Sequence, residues 1–76
     1  MPRAFVLFEV DSGSEDRILQ ELKEIEGIQE AYVSYGAYDL IARVKADTLE
    51  KLKDDITQKV RLIKNVRSTI TLIMME

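Results

Sequence analysis

The sequence predicts an α+β domain of ferredoxin-like, βαββαβ order, with two helices covering one face of a four-stranded antiparallel sheet. Three observations carry that reading. Apolar residues alternate in some segments and recur every three to four positions in others, in the order strand, helix, strand, strand, helix, strand. Ile25-Glu26-Gly27-Ile28 and Ile63-Lys64-Asn65-Val66 repeat one logic: a last helical apolar residue, a spacer, a Gly or Asn stop, and a β-branched strand opening. The copies lie 63 − 25 = 38 residues apart, half of the 76-residue chain. Right-handed crossovers in both halves then put the two helices on the same side of the sheet.

Each element has its own signal. Ala4 to Val10 (AFVLFEV) is apolar at nearly every position, as in a strand covered on both faces. After the turn at Asp11-Ser12-Gly13, Ser12 and Glu15 stand at capping-box spacing. Ile18, Leu19, Leu22 and Ile25 then form one helical stripe, and Gly27 stands where the left-handed residue after a helix belongs. From Ile28 to Tyr35 alternation returns, with Ala31, Val33 and Tyr35 on one face and Ile28 and Tyr32 on the other. Gly36-Ala37 is a short connection to the next strand, Tyr38 to Ala46, so these two strands form an antiparallel hairpin. Asp47 and Glu50 repeat the capping spacing, and Leu49, Leu52, Ile56, Val60 and Ile63 make the second stripe. Val66 to Met75 is the last strand, with Ile70, Leu72 and Met74 alternating against Thr69, Thr71 and Ile73.

Composition narrows the function. Seventy-six residues make one domain, and a chain of this size buries only roughly 60% of its unfolded surface. Such chains lean on a disulfide, a metal or a partner subunit. Cysteine and histidine are both absent, which removes disulfides, thiolate chemistry, the usual zinc and copper ligands and every Ser-His or Cys-His arrangement. No cofactor or metal is expected, and an enzyme would have only carboxylates, Lys or Tyr for its base. A partner subunit is the support that remains. Gly13, Gly27 and Gly36 are isolated, so there is no phosphate loop. The net charge of −3 disfavours direct DNA binding, and no apolar run reaches the ~20 residues of a membrane span. Met1-Pro2-Arg3 leads into a strand rather than a signal peptide, which points to the cytoplasm.

Two helices leave one sheet face uncovered, and that face should be polar in a monomer. Here it is apolar. Phe5 and Leu7 of the first strand, Tyr32 of the second, Ile41 of the third and Ile73 of the fourth are expected on it. A continuous patch of this kind marks an interface, whereas isolated surface apolar residues carry no meaning. The first reading predicts sheet-on-sheet pairing of two copies.

The most unusual segment is Tyr35-Gly36-Ala37-Tyr38-Asp39-Leu40, a hairpin turn with a glycine, two tyrosines and an acid at the mouth of a strand. Unshielded N–H groups at Gly36 can hold a carboxylate, and Asp39 can accept from an ammonium. An amino acid presents that pair of charges. Equally, Gly36 can serve the turn alone and Asp39 can bond a nearby backbone amide.

The run Ala31-Tyr32-Val33-Ser34-Tyr35-Gly36-Ala37-Tyr38-Asp39-Leu40-Ile41-Ala42-Arg43-Val44, followed by a helix and Val66-Arg67-Ser68-Thr69-Ile70-Thr71-Leu72-Ile73, resembles the C-terminal effector (RAM) domain of Lrp/AsnC transcription factors. The G-x-Y-D turn and the S-T-x-T-L-I run carry the resemblance, which covers essentially the whole chain. It implies a dimeric α+β barrel formed by sheets pairing face to face. Those dimers would assemble into an octamer or a similar ring, with an amino-acid effector held between them. It further implies that Gly36, Tyr38, Asp39, Ser68, Thr69 and Thr71 line the effector site. Regulators of that family carry a helix-turn-helix ahead of this domain, while this sequence opens at the first strand and reads as a single RAM domain over 1–76. Full-length Lrp/AsnC regulators are then expected partners. Two other readings are an assembly module without ligand, and an ACT-like domain with side-by-side sheets.

Overall fold

The computed structural model describes residues 2–74. The elements are β1 (Arg3–Val10), α1 (Glu15–Lys23), β2 (Ile28–Val33), β3 (Leu40–Lys45), a π-helical segment (Lys51–Ile56) running into α2 (Thr57–Arg61), and β4 (Val66–Met74). Met75, the expected end of the last strand, lies outside the described residues. The four strands form one antiparallel sheet in the order β2-β3-β1-β4. The βαββαβ order and the α+β, ferredoxin-like architecture are as the sequence predicts.

The core lies between the sheet and the helices. Ala4, Val6 and Phe8 of β1 and Leu40, Ala42 and Val44 of β3 are buried against Ile18 and Leu22 of α1 and Leu52, Ile56 and Val60 of the second helical stretch. These are the positions set out by period two in the strands and by three-to-four spacing in the helices. Leu49, expected in the second stripe, is instead exposed. The first turn of that helix is capped by Thr48, whose Oγ1 accepts from the Lys51 N–H at 3.1 Å, one residue beyond the expected Asp47. The first helix also departs from the expected box. Glu15 Oε1 accepts from the Gly13 N–H at 2.9 Å, and Ser14 occupies the cap position without a side-chain bond.

The internal repeat runs deeper than its sequence echo. Gly27 and Asn65, 65 − 27 = 38 residues apart, both have positive φ, 101° and 76°. Gly27 has a packing reason as well, because a Cβ there would lie 2.6 Å from Ile56 Cδ1. Asn65 tolerates the left-handed conformation through its side chain, which donates to Asp11 Oδ2 and accepts from Arg17, at 2.9 and 2.7 Å. The strands that follow each carry a bulge at the equivalent residue. Ile28 pairs with Val44 and Glu30 with Arg43, leaving Gln29 extra; Val66 pairs with Val10 and Ser68 with Glu9, leaving Arg67 extra.

Two face assignments change as a result. Ile28, expected beside Tyr32, packs against the core, because the bulge at Gln29 reverses the parity of β2. Ile73 pairs with Ala4, Thr71 with Val6 and Thr69 with Phe8, so all three lie on the helix side. Ile73 therefore does not belong to the open face on which it was expected. Its neighbours take that place, since Ile70 pairs with Leu7 and Leu72 with Phe5. Both alternating sets of β4 could have faced inward. The apolar one faces out.

Candidate binding site

The C-terminal end of β1, the β2–β3 hairpin and the connection from α2 to β4 meet at one end of the sheet. Asp39 fastens the hairpin there. Its Oδ2 accepts from the Val10 N–H at 2.9 Å, its N–H donates to Phe8 O at 2.8 Å, and its carbonyl accepts from the Ser34 N–H at 2.8 Å. The carboxylate extends the β1–β3 ladder past its last residue pair. That bond is the turn chemistry the sequence allowed, and it occupies one of the two carboxylate oxygens.

Gly36 sits at the tip with φ of 152° and open space where a Cβ would point. Tyr35 beside it is 97% exposed, while Tyr38 is half-buried. On the far side of β1, Ser68 and Thr69 open β4 on opposite faces. Ser68 Oγ donates to Glu9 Oε1 at 2.6 Å on the open face, and Thr69 looks toward the helices. Thr71 lies one step further in, opposite Val6. Five of the six expected site residues lie toward one end of the sheet, with Thr71 further in, and β1 separates Gly36, Tyr38 and Asp39 from Ser68, Thr69 and Thr71. Two strand spacings amount to about 9–10 Å.

The open face presents two apolar rows across the strands. Tyr32, Ile41, Leu7 and Ile70 form one, and Phe5 and Leu72 continue the next beside Arg43 and Glu30. Tyr32, Ile70 and Leu72 are 54%, 41% and 51% exposed, and Phe5, Leu7 and Ile41 are half-buried. Arg43 Nη2 meets Glu30 Oε1 at 3.0 Å, while its Nε is shielded from water without a hydrogen-bond partner. Glu30, as a hydrogen-bond acceptor beside Tyr32, is the main cause that raises the tyrosine hydroxyl above its ordinary pKa, with desolvation adding to it. Ile70 and Leu72 escaped the sequence reading because their parity on β4 was reversed.

Among the described residues there is no group of three or more acidic side chains placed to hold a metal ion. No described helix is long and apolar enough to cross a membrane.

Known proteins agree with this geometry. The profile of the Lrp/AsnC ligand binding domain matches residues 3–76. The chain belongs to the Lrp/AsnC ligand-binding (RAM) domain family. An uncharacterised HTH-type transcriptional regulator of Pyrococcus furiosus is 30% identical over 73 residues, covering 92% of this chain and 49% of the regulator. The regulatory protein AsnC of Haemophilus influenzae is 30% identical over 61 residues, covering 80% of this chain and 41% of its own length. The chain spans about half the length of the curated relatives it matches. Among solved structures, FFRP-DM1 superposes with a TM-score of 0.92 at 39% identity, covering 99% of this chain and 100% of its own. A hypothetical protein from Pyrococcus horikoshii gives 0.91 at 38%, covering 100% of this RAM domain and 92% of its own chain. These relatives include transcriptional regulators, and the RAM domain here is related to them.

Proposed function

We propose that this RAM domain is an oligomeric, non-enzymatic sensor of a small effector, an amino acid, acting in the cytoplasm on the regulation of amino-acid metabolism. The observation that carries the proposal is the join of two features in a Lrp/AsnC ligand-binding domain: an uncovered apolar sheet face, and polar hairpin and β4 groups gathered at one end. Two copies pair through the open faces, burying Phe5, Leu7, Tyr32, Ile41, Ile70 and Leu72. At about 25 cal/mol per Å² such burial contributes several kcal/mol. Dimers then assemble into a ring. An effector contacts Gly36, Tyr38 and Asp39 of one protomer and Ser68, Thr69 or Thr71 of another, which overcomes the separation by β1. Mixing with full-length Lrp/AsnC regulators would pass the signal on.

Calorimetry with the twenty amino acids, paired with solution mass in their presence and absence, tests this. Asp39→Asn is the informative variant, since its amide oxygen still accepts from Val10 N–H while the charge is gone. The proposal expects at least one amino acid to bind, and Asp39→Asn to weaken it tenfold or more. A folded oligomer that binds none would leave an assembly module instead.

A further inference from the structure

Equivalent residues in the two halves line two equivalent recesses. In the first half the recess is lined by Lys23, Gln29, Glu30 and Ala31, among others. In the second it is lined by Arg61, Val66, Arg67, Ser68 and Thr69, with a volume of about 270 Å³. Lys23 and Arg61, Gln29 and Arg67, and Ala31 and Thr69 are each 38 residues apart. The fold therefore makes the recess twice, and its chemistry differs between the copies. The first has one lysine and a carboxylate already paired with Arg43. The second is lined by two arginines, Ser68 and Thr69, with no acidic residue in its lining.

We infer that the recess between the end of α2 and the bulged start of β4 is an anion site that takes the carboxylate of a small molecule, clamped by Arg61 and Arg67 with Thr69. Its link to the effector rests on the proposed sensing role; the anion site itself does not.

Four features support it. The bulge gives Arg67 no partner on β1, the local device by which a strand re-aims a side chain. Arg61 makes no hydrogen bond or ion pair among the described residues. Among the described residues Arg67 has only Asp11, at 3.9 Å with both side chains largely exposed, a contact worth little in water. Arg17 is the contrast: it is committed to Glu21, Lys64 O and Asn65 Oδ1, and is not free for a ligand. Third, β4 is an edge strand, so the backbone N–H groups on its outer side have no strand partner and can add to the clamp. Ser68 is less available, since its hydroxyl proton goes to Glu9. Finally, guanidinium pairs suit planar, bidentate acids. A carboxylate fits better than a phosphate dianion, because the negative end of α2 lies beside Arg61 and opposes a second negative charge.

The groove at the opposite end of the sheet does not compete. Its Lys45, Lys51 and Lys59 are balanced by Glu26, Asp47 and Asp55.

The test uses calorimetry for binding and hydrogen exchange for location, with acetate, inorganic phosphate and the amino-acid set as probes. The inference expects acetate and any binding amino acid to protect the peptide spanning 61–69. Affinity should fall tenfold or more in the double variant Arg61→Ala/Arg67→Ala, partly recover in Arg61→Lys/Arg67→Lys, and stay unchanged in Lys23→Ala. Arg61 and Arg67 are exposed, and an unshifted melting midpoint checks that the variants stay folded. Amino-acid binding that protects only 34–39 and survives the double variant overturns the inference and leaves the sensing role standing. Acetate bound at 61–69 with no amino acid bound supports the inference and counts against the sensing role. Phosphate bound in preference to acetate overturns the carboxylate assignment, and no protection by any probe overturns the site.

Discussion

The two faces of the sheet share the same four strands and differ in what covers them. On the helix side, Ala4, Val6, Phe8, Leu40, Ala42 and Val44 are at most 1% exposed. On the other side, the neighbouring residues Phe5, Leu7, Ile41, Tyr32, Ile70 and Leu72 are also apolar, yet they are half-buried or exposed. An antiparallel sheet with one face in water alternates apolar with polar residues. Here alternation fails on the open side of β1 and β4. The helix side is a finished core. The open side carries apolar residues of the same kinds and leaves them uncovered beside Arg43, Glu30 and Glu9.

That contrast can be broken from either side. The largest loss of stability is expected from Phe8→Ala, which empties a fully buried site and costs about 3–5 kcal/mol in chemical denaturation. Next comes Gly27→Ala. Its methyl would press on Ile56 and take up a positive φ, so a cost of about 1–3 kcal/mol is expected from the shift in denaturation midpoint. The equivalent Asn65→Gly should change the midpoint far less, since glycine accepts that φ and only exposed hydrogen bonds are lost. Asp39→Ala strips the Val10 amide of its acceptor and should cost about 1–2 kcal/mol, whereas Asp39→Asn should recover most of that. Smallest of all on the stability of a single protomer is Leu72→Ser, within about 0.5 kcal/mol, because the residue is half exposed there. Ile73→Ser, one position along, should cost more, and the order of the two reports which face each residue occupies.

Much of this was legible in the sequence. Period two, helical stripes and the Gly27 and Asn65 stops located six elements in their order, since each signal is local. The core face of β1 and β3 was legible for the same reason. Parity was not. A bulge inserts one residue and turns every later side chain over, and nothing in Gln29 or Arg67 announces it. On β4, Ile73, in alternation with Ile70 and Leu72, was expected on the open face, and the bulge at Arg67 puts it with Thr69 and Thr71 on the helix side. An edge strand thinly covered by α2 can hold threonines on its inner side. The hairpin acid was legible as chemistry and open as to role, because a carboxylate that bonds the Val10 amide and one that awaits an ammonium have the same local sequence. The π-helical segment had no distinct signal, since steps of four from Leu52 to Ile56 to Val60 also suit an ordinary helix.

Phe5, Leu7, Ile70 and Leu72 lie in the uncovered rows on which pairing of two protomers depends. Light scattering of the wild-type chain at micromolar concentration, beside Leu7→Lys and Leu72→Lys, measures it directly. The expected result is a wild-type mass of two protomers or a multiple of two, falling to one protomer in variants whose far-ultraviolet circular dichroism is unchanged. A wild-type chain that scatters as a single protomer at that concentration would contradict it.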